Sequence, residues 1–131
     1  MAFENLTKVY SWPAATDLSA FQYYPVTLAT SSTYPDGYIN TISSTATKPV
    51  GILQDTPNAA GVMAAVAIEG ISKCRIYAGT VAVLDAIGVH ASGYGEVTTT
   101  DNRWVVGTAL EKAADDNTVP VLTIDLNVSR Y

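Results

Sequence analysis

The chain has 131 residues and a mass of 13.8 kDa, which fits one domain and excludes a multidomain enzyme. With 48% of its residues apolar and 15% charged, it falls outside the disordered class and should fold around a core. Seven Lys and Arg against twelve Asp and Glu give a net charge of −5. Because this charge opposes the approach of phosphates, we expect no nucleic-acid partner.

Residues 1–17 contain three residues typical of interfaces, Tyr10, Trp12 and Pro13, but no regular alternation of apolar and polar positions. They are interpreted as an extended N-terminal arm, followed by a single β domain over residues 18–131. Because Trp and Tyr are enriched among residues that carry binding energy, we expect Tyr10, Trp12 and Pro13 to contact a subunit of another protein or a neighbouring copy of the chain. The alternative is that Trp12 folds back and plugs one end of the domain.

The rest of the chain is rich in Val, Ile, Thr and Tyr, with Gly and Pro at short intervals, and lacks long runs of helical spacing. This predicts an all-β fold, a small barrel or sandwich of short antiparallel strands, with at most a turn or two of helix in residues 108–114. The predicted strands are 21–28, 38–42, 50–53, 62–68, 71–77, 95–99, 103–110 and 118–126. The predicted core is Val50, Ile52, Val66, Ile68, Ile76, Val106, Leu122 and Ile124.

Two predicted hairpins resemble each other. Val50-Gly51 opens a short strand that is followed by a turn and a second strand, and Val106-Gly107 opens a similar pair. The pattern fits two related hairpins in one small barrel or sandwich. The alternative to two related hairpins is a chance similarity, because any two hairpins look alike in a valine-rich chain.

Residues capable of catalysis or metal binding are few. The sole histidine, His90, is interpreted as a structural residue of a strand or turn, and Cys74 fits a small buried apolar position. One His and one Cys cannot form a tetrahedral metal site, and Asp115-Asp116 is interpreted as a solvated turn. We therefore expect no enzymatic activity, no metal and no cofactor.

The N-terminus lacks the basic start and apolar run of a signal peptide, and a single cysteine permits no intramolecular disulfide. The longest uncharged apolar stretch, residues 59–68, is about half of what a membrane-spanning helix needs. We therefore expect synthesis in the cytoplasm and no membrane partner.

Four segments in order resemble a known family: DLSAFQYYPV (17–26), KPVGILQDTP (48–57), EGISKC (69–74) and VVGTALE (105–111). They are similar to segments of the small tailed-phage capsid decoration proteins, also called cement proteins. The resemblance covers roughly residues 16–126. Residues 78–90 depart from it, because the family usually has there an alanine- and glycine-rich turn that ends in Gly-Asp-Leu-Val.

The resemblance implies a non-enzymatic virion protein, made in the host cytoplasm, that binds the outer surface of a phage capsid and stabilises the head. The implied partners are the major capsid protein and further copies of the chain, in a homotrimer. The eight tyrosines and two tryptophans leave an alternative, a carbohydrate- or host-surface-binding β module. That alternative requires Tyr10, Trp12, Tyr23 and Tyr24 to gather in one exposed groove.

Overall fold

The computed structural model describes residues 5–77, 80–113 and 120–131 and is all-β, as the sequence predicts. Within these ranges there is no helix, and hence none long and apolar enough to cross a membrane. Nine antiparallel strands form one curled sheet. They are β1 (Asn5–Pro13), β2 (Pro25–Ala29), β3 (Tyr38–Thr41), β4 (Gly51–Leu53), β5 (Met63–Arg75), β6 (Ala86–Val89), β7 (Gly95–Val97), β8 (Trp104–Ala109) and β9 (Val121–Arg130).

Strand β5 corrects the prediction of two strands separated by a turn at Glu69-Gly70. The chain continues as one 13-residue strand through Gly70, whose φ of 106° lies in the left-handed region that glycine adopts without steric cost. The strand persists because it is paired on both edges: β1 covers residues 63–71, while β4 and β9 pair the opposite edge at residues 66–67 and 70–75. Glycine therefore bends this strand instead of ending it.

The sheet consists of two units that share β5. The first unit has the order β3-β2-β4-β5-β1 and closes through a parallel bridge between Ala14 and Ile39. The second unit has the order β7-β6-β8-β9-β5 and closes through a parallel bridge between Ile76 and Gly95. Each unit is therefore a small barrel-like layer of five strands, and β5 is the fourth strand of the first unit and the fifth strand of the second.

The two units have matching register. Val26 pairs with Gly51 in the first unit, and Ile87 pairs with Gly107 in the second. The next pairs along are Ile52 with Ala67 and Thr108 with Asp125. The two hairpins predicted from the sequence are thus β4–β5 and β8–β9, and they occupy equivalent places in the two units.

Two clusters of buried side chains fill the fold, one inside the first unit and the other inside the second. Six of the eight predicted core residues are buried: Ile52, Val66, Ile76, Val106, Leu122 and Ile124. The prediction was wrong in degree for Val50 and Ile68, which are only half-buried. Both line an open cleft, described below, where the two units diverge.

The N-terminal segment also differs from its sequence-based interpretation. Residues 5–13 form strand β1, and the backbone of Ala14, which is fully buried, continues the pairing by donating to Val62 O. The segment has no regular alternation in its sequence and nevertheless forms a strand, because the edge of β5 supplies the pairing. The division of the chain into an arm and a domain at residue 17 stays a prediction.

Candidate functional site

The three predicted contact residues lie at the C-terminal end of β1. Tyr10 is 50% exposed, and its ring centroid lies 6.0 Å from that of Trp12. Trp12 is half-buried and packs against the core of the first unit. Trp12 and Pro13 line an open groove of about 470 Å³, together with Tyr34 and Met63. Tyr10 thus lies beside Trp12 but does not line this groove, and its ring is the more exposed of the two.

A larger cleft lies where the two units diverge. Strands β4 and β9 pair the same edge of β5, and Ile68 and Glu69 lie between their pairing sites. The resulting cleft has a volume of about 860 Å³. Its walls are mostly apolar, and it is lined by Thr27, Leu28, Lys48, Pro49, Val50, Ile68, Glu69, Trp104, Leu126, Asn127 and Val128.

Trp104 links this cleft to a group of cations. The Lys48 ammonium lies 5.0 Å from the centroid of the Trp104 ring, and the Arg130 guanidinium lies 4.3 Å from it. Both distances are in the range of cation–π attraction. Lys48 precedes β4 while Trp104 opens β8, so this contact joins the two units across the cleft. Sequence reasoning missed this group, because Lys48, Trp104 and Arg130 lie far apart in the chain and only the fold brings them together.

A third group of aromatic rings lies beside the bridge that closes the second unit. The rings of Tyr77, His90 and Tyr94 are nearly parallel, with centroids 4.8 to 5.5 Å apart. Tyr24 adjoins Tyr94, and Phe21 adjoins Tyr24 edge to face. His90 Nδ1 accepts a hydrogen bond from the Ser92 amide at 3.0 Å, so its ring is held by stacking and by this contact.

The aromatic side chains are thus divided among separate places. Tyr24 belongs to the ring group beside the second unit. The Lys73 ammonium lies 5.3 Å from the centroid of the Tyr23 ring. Neither residue lines the groove that contains Trp12. The arrangement does not meet the condition stated for a sugar site, which requires these rings in one groove.

Chemically reactive groups are sparse in the part of the chain that the structure describes. Cys74 is fully buried, and this burial raises the pKa of its thiol far above the ordinary value, so the thiol stays protonated and unreactive. No group of three or more His, Cys, Asp or Glu among the described residues could hold a metal ion. Asp115-Asp116, interpreted as a solvated turn, lies outside the described residues.

The comparisons with known proteins find similarity in structure but none in sequence. No family model matches the chain, and no curated protein matches it by sequence. The chain is similar in structure to the N base of the head fiber gp8.5 in bacteriophage phi29, with a TM-score of 0.65 and 16% sequence identity. The match covers 95% of this chain and 98% of that one. At this identity the likeness establishes a shared fold over nearly the full length of both chains.

Proposed function

We propose that this protein is a structural component of a phage virion that binds the outer surface of the capsid and stabilises the head. The observation that carries the proposal is the match to the base of a phage head fiber, which spans 95% of this chain. The resemblance of four sequence segments to capsid decoration proteins points in the same direction independently. A fold alone does not define a function, so agreement between the two is the argument.

The surface is consistent with this role. The chain carries a net charge of −5, and exposed apolar and aromatic side chains recur at β1, at the start of β5 and at the turn before β6. Apolar and aromatic residues on an otherwise charged surface favour protein contacts. The proposed partners are the major capsid protein and further copies of the chain, and the proposed protein has no catalytic residue, cofactor, nucleic-acid partner or membrane partner.

The proposal is tested by binding to heads. Purified protein is mixed with expanded head shells that lack it, and with unexpanded shells, and the shells are sedimented and imaged by electron microscopy. We expect saturable binding to expanded shells, added density on their outer surface, and shells that withstand higher temperature before they rupture. Absence of binding to shells of either form would exclude the proposed function.

A further inference from the structure

The turn before β6 exposes apolar side chains in a strained backbone. Leu84 has a φ of 74°, in the left-handed region that a leucine rarely occupies, and its side chain is 72% exposed. Val83 beside it is 53% exposed. The turn is nevertheless well held, because the Asp85 carboxylate accepts a hydrogen bond from the Ala82 amide at 2.8 Å. The turn buries neither Val83 nor Leu84 in the core, so the exposure of these two side chains needs another explanation.

The first unit contains the same turn at the equivalent place. Tyr23 has a φ of 68°, and its amide donates to Leu53 O at 2.8 Å. Leu84 donates in the same way to Ala109 O at 2.7 Å. The registers of the two units make Leu53 and Ala109 equivalent, so Tyr23 and Leu84 are equivalent as well. The turn at Tyr23 therefore shows which groups cover such a turn when another unit packs against it.

In the first unit the turn docks on an extended strand. The carbonyl of Tyr23 accepts a hydrogen bond from the Arg75 amide of β5 at 2.8 Å, and its ring packs against the core of the second unit. The Lys73 ammonium lies above the ring. In the second unit, by contrast, no described residue donates a hydrogen bond to the carbonyl of Leu84.

The surroundings of Leu84 make its exposure exceptional. Three residues of the first unit, Ile42, Ile52 and Ala67, pack into the core of the second unit. Register places Thr98, Thr108 and Asp125 at the equivalent positions of the second unit. These three residues are polar, as expected for the terminal unit of a repeat array, although Thr98 is itself buried. Leu84, the equivalent of Tyr23, is the fourth such position, and it is the one of the four that holds a large apolar residue.

We propose that the Val83–Leu84 turn is a docking element that receives an extended segment of the head shell protein. This inference rests on the proposed function. By analogy with the first unit, the segment donates a main-chain amide to the carbonyl of Leu84 and covers its side chain. A basic side chain in the segment would face Asp125, which is exposed and which the register places on this side of the second unit.

A second copy of the chain fits this place poorly. Strand β1 is the equivalent of the C-terminal half of β5, since Pro13 pairs with Met63 as Arg75 pairs with Val121. Suppose that a second copy packed against the second unit as the second unit packs against the first. Its Pro13 would then occupy the position of Arg75, whose amide donates to the carbonyl of Tyr23, and proline has no N–H to donate. The required hydrogen bond would be missing, which favours a different protein as the occupant.

The test separates strain from binding. Leu84→Gly and Leu84→Asn introduce residues that tolerate a positive φ, so we expect both variants to melt at or above the temperature of the unchanged protein. Both should weaken binding to expanded head shells by about tenfold or more, because they remove the apolar contact. Tyr131→Asn, which changes an exposed side chain outside the cleft and the groove, is the control and should bind the shells normally.

The outcomes distinguish this inference from the proposed function. Shell binding by both Leu84 variants at the affinity of the unchanged protein would overturn the docking element and leave the proposed function intact. Failure of the unchanged protein to bind shells would overturn both. Loss of binding by the Leu84 variants, with normal binding by Tyr131→Asn and undiminished melting temperatures, supports the docking element.

Discussion

Single residues decide how closely the strands of each unit approach. A Cβ atom built on Gly51 would lie 2.1 Å from Ala67 O, and one built on Gly107 would lie 2.1 Å from Asp125 O. Both contacts involve backbone of the paired strand, which cannot move aside. The two glycines are equivalent by register, so the Val-Gly pattern in the sequence marks the same close approach twice.

Replacing either glycine should therefore destabilise the protein. We expect Gly51→Ala and Gly107→Ala each to lower the free energy of unfolding by roughly 2–3 kcal/mol, in the upper range of overpacking effects. Thr108→Ala, at the next position of β8, creates no new contact and should change stability by less than about 1 kcal/mol. Urea denaturation of the three variants measures this, and wild-type stability of both alanine variants would show that the sheet can relax there.

Side-chain volumes also compensate between equivalent positions. The closing bridge of the first unit joins the small Ala14 to the large Ile39, whereas that of the second joins the large Ile76 to Gly95. A Cβ on Gly95 would lie 2.8 Å from Cγ2 of Ile87, so the second bridge has no room for a larger residue at this position. Each bridge thus pairs one large residue with one small residue, at swapped positions in the two units.

At the scale of elements, β1 is the strand whose role the structure changes most. It pairs with β5 from Asn5 to Pro13, and Trp12 takes the position that the buried Cys74 takes in the second unit. Trp12 packs against the core of the first unit, while Tyr10 remains half exposed. Of the two aromatic residues, Trp12 thus contributes to the fold and Tyr10 remains available for a partner.

Substitutions in β1 test this division of roles. We expect Trp12→Ala to lower the free energy of unfolding by roughly 2–3 kcal/mol, below the cost for a fully buried tryptophan. Tyr10→Ala should cost less than about 1 kcal/mol. Deleting residues 2–13 should abolish cooperative thermal unfolding, because it uncovers the edge of β5 and the core beneath it. A truncated protein that melts at the original temperature would restore the interpretation of a separate arm.

At the scale of the whole molecule, the outer edge of β1 is open. Apart from the bridge at Ala14, no described strand pairs with it, and Val9, Tyr10, Val62 and Met63 are exposed nearby. An open strand edge with apolar neighbours invites pairing with another chain. This is the surface at which we expect copies of the protein to associate.

Sedimentation of the pure protein tests this association. We expect an oligomer, a trimer by the family resemblance, at micromolar concentration. Tyr10→Lys with Met63→Lys should shift the protein to monomers, because two charges would be placed on the contact surface. Leu84→Asn lies on the other unit and should leave the oligomer unchanged. A monomer at this concentration in the unchanged protein would contradict the prediction for the free state.

The sequence by itself determined the fold class, most strands and the similarity of two hairpins, because these depend on local alternation and on Gly and Pro at turns. Ile52, Val66, Ile124 and their neighbours were identified as core for the same reason. Only the tertiary structure decided that Gly70 bends one strand instead of separating two, and that residues 5–13 form a strand on its edge. Both outcomes depend on pairing partners far away in the chain, which the local pattern of apolar and polar residues does not specify. The equivalence of Tyr23 and Leu84 likewise follows only from the registers of the two units, since one side chain is aromatic and the other aliphatic.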